Sequence, residues 1–115
     1  MNKQNSLKKN KEFKKVYDEG KSYANKYLVM YVLENKSDIN RLGISVSKKT
    51  GNSVVRHRLK RLIKESYRLN EEKFNSGLDI VIIARIGAKE KSYREIESAV
   101  LHLMKIHGII SEKNS

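Results

Sequence analysis

The residues best suited to chemistry in this chain are cations, and they are concentrated. Residues 48–68 (KKTGNSVVRHRLKRLIKESYR) carry Lys48, Lys49, Arg56, Arg58, Lys60, Arg61, Lys64 and Arg68 against a single acid, Glu65. Eight charges less one leave +7, more than half of the formal net charge of +12. Such a set suits phosphate, and half of it is Arg, whose planar fork matches phosphate oxygens. Wound as a helix from Ser53 at about 100° per residue, the segment puts Val55, Leu59, Leu62, Ile63 and Ser66 on one apolar stripe. Arg56, Lys60, Lys64 and Tyr67 share another side, flanked by His57, Arg61 and Arg68. A merely solvated basic face would interleave acids as i,i+4 partners, and only Arg61 with Glu65 has that spacing. Arg56 and Arg58 also occupy the first turn, where the helix dipole disfavours cations. The preceding Lys48-Lys49-Thr50-Gly51-Asn52 brings more charge to a helix N-terminus, whose free N–H groups favour phosphate. The pattern predicts a face for a nucleic acid.

Other chemistries lack their parts. There is no Cys, which excludes disulfides, thiolate metal sites and thiol catalysis. His102 and His107 are spaced poorly for a shared metal, and no nearby carboxylates complete a site. No pair of acids sits where apolar surroundings would tune it for acid–base work. Lys49-Thr50-Gly51 lacks the glycine spacing of a phosphate-binding Walker loop. A self-contained nuclease is therefore not expected. Phe13, Tyr17 and Tyr31 fit either a core or a stacking platform for bases. Aromatic platforms beside a basic groove are how single-stranded nucleic acid is held.

The elements that must position these groups follow from the apolar periodicity. A length of 115 residues suits one domain, with residues 1–9 and 109–115 expected to be flexible. Asn10 is a candidate cap for a helix over residues 11–19, stopped by Gly20, with Phe13, Val16 and Tyr17 facing inward. Residues 21–26 offer a weak edge strand. Residues 27–33 (YLVMYVL) and 41–47 (RLGISVS) read as strands, expected to pair as a hairpin. The basic loop and helix come next, then a charged, mobile link to Gly77. Residues 79–84 (DIVIIA) form a continuous apolar strand, predicted to be central and covered on both faces. Ser92 with Glu95 is a capping box for a last helix, with Ile96, Ala99, Val100, Leu103 and Met104 inward and Gly108 closing it. The order α-β-β-(β)-α-β-α predicts an α+β domain with one mixed sheet. No apolar run approaches the roughly 20 residues of a membrane span, and the charged N-terminus is unlike a signal peptide. A cytoplasmic protein without a membrane partner is expected.

Gly51-Asn52-Ser53-Val54-Val55-Arg56-His57-Arg58-Leu59-Lys60-Arg61, preceded by Ser45-Val46-Ser47-Lys48-Lys49, closely resembles the signature of the bacterial ribonuclease P protein component. The likeness extends to Asn10, Phe13, Tyr17 and Gly20, to Ala24-Asn25 and Tyr31, and to Ile82-Ile83-Ala84-Arg85. The resemblance implies an α/β sandwich with a left-handed βαβ crossover, against the general right-handed rule. It implies a small partner of a catalytic RNA that frees the mature 5′ end of precursor tRNA. The active site would then lie in the RNA, with Mg²⁺ held by RNA and substrate rather than by protein. By matched position, the face toward the catalytic RNA is Lys48, Lys49, Asn52, Arg56, Arg58, Lys60, Arg61 and Lys64, and the helical wheel adds His57 and Arg68 to it. A cleft for the single-stranded 5′ leader is implied at Phe13, Tyr17 and Tyr31, with Ser47, Lys48 and Arg56 at its edge. His57 stands where the family usually has Asn, although a neutral imidazole also both donates and accepts hydrogen bonds. Lys64 stands where Arg is common, keeping the charge without the fork. The alternative is a structural RNA-binding protein, such as a ribosomal protein, without a part in catalysis.

Overall fold

The computed structural model describes residues 5–110. Three helices, α1 (Asn10–Glu19), α2 (Ser53–Leu69) and α3 (Tyr93–His107), pack on four strands, β1 (Lys21–Ala24), β2 (Leu28–Glu34), β3 (Arg41–Ser45) and β4 (Leu78–Ala84). The strands form one mixed sheet in the order β1-β2-β4-β3. β2 runs antiparallel to β1 and β4, whereas β3 is parallel to β4, so β3, α2 and β4 make the βαβ crossover.

This order corrects the expected hairpin of residues 27–33 with 41–47. β4 lies between the two strands, with Met30 opposite Ile82 on one side and Ile44 beside Ile82 on the other. The reason is burial: six of the seven β4 residues are buried, so this strand needs neighbours on both edges as well as cover on both faces. The hairpin that does form joins β1 to β2, where the Asn25 side chain accepts from the N–H groups of Tyr27 (3.1 Å) and Leu28 (2.9 Å). β1, exposed throughout, takes the edge.

Alternation along β4 divides the interior into two layers. Ile80, Ile82 and Ala84 face α2 and α3, joining Leu28, Met30, Leu42, Leu59, Ile63, Ile96, Val100 and Leu103 in the main core. Val81 faces α1, in a smaller cluster with Leu7 and Val16 flanked by half-buried Phe13, Tyr17, Tyr31 and Ile83. The predicted inner stripe of α3 is buried as expected, its capping box forms, and Gly108 closes it with φ 69.

Four expectations change. Tyr67, placed by the helical wheel among the cations, is fully buried, because its ring turns under the end of α2 to meet Phe74, with ring centroids 4.8 Å apart. Burial there pushes the Tyr67 phenol up to about 12. Phe74 also anchors the expected mobile link through a bridge to Ile110. Asn10 is the first helical residue of α1 rather than its cap; Glu12 instead reaches back to the N–H groups of Lys9 (2.9 Å) and Lys8 (3.1 Å). The expected flexible ends are tied down where they are described, since Leu7 and Ile109 are buried and the Leu7 N–H donates to the Leu42 carbonyl at 2.9 Å. Residues 1–4 and 111–115 lie outside the described residues. Among the described residues, no helix is long and apolar enough to cross a membrane.

Candidate nucleic-acid interface

The basic loop and α2 form one continuous structure. Lys48 and Lys49 project from a 3₁₀ turn (Lys48–Thr50) held down by buried Thr50. Asn52 then caps α2, its side chain accepting from the Val55 N–H at 3.0 Å. That hydrogen bond commits the Asn52 oxygen to the helix, while its amide N–H groups have no partner among the described residues. Leu59, Ile63 and Ser66 bury the opposite side of α2, which fixes how its cations are presented.

The predicted cations separate into two groups. Lys48, Lys49, His57, Lys60, Arg61 and Lys64 are exposed and form no hydrogen bond or ion pair among the described residues. The others are partly committed. Arg58 donates from Nη2 to the Lys91 carbonyl at 2.8 Å, joining α2 to the turn before α3. Arg68 pairs with Glu65, replacing the expected Arg61–Glu65 pair, and holds the Glu65 carboxyl below its usual range. Arg56 is half-buried, and its Nε is buried with no partner among the described residues. Burying a charged donor without a partner is costly, so Arg56 retains a donor still to be satisfied.

On the other side of the sheet, the aromatic residues come together. Tyr17 meets Tyr31 edge-to-face with centroids 5.0 Å apart, and Phe13 lies 6.3 Å from Tyr17. Gly43 permits this: a Cβ there would fall 2.7 Å from the Phe13 ring. Burial raises the Tyr17 phenol, and a hydrogen bond with Ser45 partly offsets that. A groove of about 430 Å³ opens beside them, lined by Phe13, Lys14, Tyr17, Ile44, Ser45 and Lys60, among others. Tyr31 backs Tyr17 rather than lining this groove, and Ser47, Lys48 and Arg56 do not line it. Lys60, predicted only for the other face, instead lies where the groove meets α2.

An ion-pair network that no local sequence pattern announces fixes α1 over the sheet. Arg41 donates to Asp79 twice, from Nε at 2.9 Å and Nη2 at 2.7 Å, and to Glu12 from Nη1 at 2.9 Å. Asn35 adds a bond to the same Asp79 at 2.9 Å. The N–H groups of Lys9 and Lys8, followed by Arg41, hold the Glu12 carboxyl below its usual range. Arg41 itself is raised, chiefly by its hydrogen bonds to Asp79. The available signal was an acid, Asp79, opening an otherwise apolar strand, which needed a cation nearby.

Comparison with known proteins agrees with this architecture. The family model described as Ribonuclease P matches residues 1–108. The ribonuclease P protein component of Lachnoclostridium phytofermentans is 68% identical over 106 residues, covering 92% of this chain and 91% of that protein. Its counterpart in Clostridioides difficile is 53% identical over 105 residues, covering 90% of this chain and 92% of that one. Among solved structures, the Staphylococcus aureus RNase P protein superposes with a TM-score of 0.86 at 39% identity, covering 93% of this chain and 98% of that one. The Thermotoga maritima RNase P protein gives 0.82 at 32% identity, covering 88% and 96%. With its signature loop and helix, its sandwich and its length all matched, the chain belongs to the ribonuclease P protein family.

Proposed function

We propose that this chain works as the protein subunit of a ribonuclease P ribonucleoprotein in the cytoplasm. In this reading α2 and its loop hold the catalytic RNA, and the aromatic groove beside α1 holds the single-stranded leader of precursor tRNA. The observation that carries it is the division of the molecule into two distinct surfaces. Lys48, Lys49, His57, Arg61 and Lys64 offer charge without internal partners on one, and Lys60 does so where the two meet. Phe13 and Tyr17 offer half-buried rings on the other, with Tyr31 behind Tyr17. Exposed cations supply sequence-independent affinity for phosphate, and ring faces accept any base.

The chain's contribution is to bind and orient. Cationic and aromatic side chains do not suit a hard divalent cation, which takes oxygen ligands. As the family resemblance implies, we assign the Mg²⁺ of the reaction to the RNA and substrate, where it would supply an activated water. Holding the leader at a fixed place relative to the catalytic RNA raises the effective concentration of the cleavage site. The test is reconstitution: the purified chain, added to its cognate catalytic RNA at low Mg²⁺, should accelerate release of the leader and raise affinity for precursor over mature tRNA. No change on adding the chain would return it to the class of structural RNA-binding proteins.

A further inference from the structure

The open edge of β3 carries a feature that neither surface uses. The Leu42 carbonyl points away from β4, since it accepts from the Leu7 N–H at 2.9 Å. Strand periodicity puts the N–H and C=O of Ile44 on that same outer edge. Among the described residues, the segment before α1 meets this edge only at its beginning, through the bridge between Ser6 and Leu42. Ile44 is left with an outward donor and acceptor and no hydrogen-bond partner for either among the described residues. This backbone lies between two depressions. One is the groove beside Phe13 and Tyr17. The other, about 310 Å³, has a floor of Leu7, Leu42 and Ile44 and a wall of His57, Lys60, Arg61 and Lys64. Ile44 and Lys60 border both.

We infer that the Ile44 edge is a binding site for one unpaired nucleotide of RNA, an inference that rests on the reading of α2 as an RNA face. The base lies over the apolar floor with its hydrogen-bonding edge on the Ile44 N–H and C=O, and Lys60, Arg61 and Lys64 hold the flanking phosphates. Every nucleobase has a donor beside an acceptor on its Watson–Crick edge. The site therefore selects an unpaired base over a paired one without choosing among the four. The nucleotide comes either from the leader, as it leaves the aromatic groove, or from an unpaired position of the catalytic RNA docked on α2.

Hydrogen exchange at the Ile44 amide, read by NMR on the full chain, tests this. The probes are an unstructured leader-length oligoribonucleotide, its fully abasic counterpart, the same oligomer in a duplex, and the cognate catalytic RNA alone, with RNA digested after quenching. The expected result is exchange at Ile44 slowed about tenfold by a base-bearing single strand and unaffected by the abasic or duplex forms. Protection by the leader oligomer identifies the leader as the source, and protection by the catalytic RNA alone identifies that RNA. Resonances of Lys60 and Arg61 that move while Ile44 exchange stays unchanged, or slows equally with the abasic strand, overturn the site yet leave α2 as an RNA face. If no residue of α2 responds to any probe, both readings fall together.

Discussion

The two faces of the sheet are built from the same strands and treated differently. Toward α2 and α3, β4 contributes Ile80, Ile82 and Ala84 to a core that contains fully buried Leu28, Met30, Leu59, Ile63 and Leu103. Toward α1, a helix of 10 residues covers Val81, and the surrounding Phe13, Tyr17 and Tyr31 remain only half-buried. The difference separates a filled core from a face left partly open, which the proposed function assigns to the leader. Substitutions on the two sides should therefore fail in different assays.

The largest expected effect lies in the main core. Ile63→Ala should cost roughly 2–5 kcal/mol of folding stability, measured by urea denaturation, while molecules that remain folded bind RNA normally. A loss of RNA affinity in the folded fraction would blur the comparison. Next is the device that holds α1 in place. Arg41→Ala removes the cation from Asp79, whose side chain is 5% exposed, and frees Glu12 on α1. Taking one partner from a buried pair costs about 3 kcal/mol at the lower end of the usual range, and here precursor binding should weaken along with stability. If stability falls while precursor binding per folded molecule is unchanged, α1 does not need this anchor to form the groove.

Smaller effects distinguish cations that look alike in the sequence. Arg61→Ala should reduce the slope of log affinity for catalytic RNA against log salt by about one contact, near 0.9 for duplex RNA-like sites. Arg58→Ala should change that slope less and stability more, because Arg58 already donates to the Lys91 carbonyl. Equal slopes for the two variants would mean that the Lys91 bond opens on binding. The smallest effect is at Glu12. Its carboxyl is held below the ordinary 4.5, first by the N–H groups of Lys9 and Lys8 and then by Arg41. Its stabilising contribution is therefore complete above about pH 4.5 and is lost as pH falls through the lower folded value. Thermal midpoints of the natural chain and Glu12→Gln should differ near neutrality by less than about 1 kcal/mol in stability and converge in acid. A gap that persists in acid would mean the glutamate acts through packing alone.

Much of this was legible in the residues because local rules and global packing agreed. The capping box at Ser92, the inner stripe of α3 and the αL stop at Gly108 are each set within a few residues. The cationic side of α2 was legible because its apolar stripe left only one way to face the core. The pairing of β2 with β4 instead of β3 was not, since strand order depends on contacts between distant segments that no local pattern specifies. Tyr67 misled for a related reason: its position on the wheel is polar, yet Phe74, beyond the end of the helix, draws its ring inward. Lys60 was read as belonging to one surface, and only the three-dimensional meeting of α2 with the β3 edge puts it at both grooves.

The separation of roles is tested most directly by Tyr31→Ala in the reconstituted ribonucleoprotein, comparing affinities for precursor and mature tRNA. Losing the ring that supports Tyr17 should weaken precursor binding by up to the about 1–3 kcal/mol (roughly 5- to 150-fold) that a directly stacked base contributes, and leave mature tRNA and catalytic-RNA affinities unchanged. An equal loss for precursor and mature tRNA would contradict the assignment of the open face to the leader.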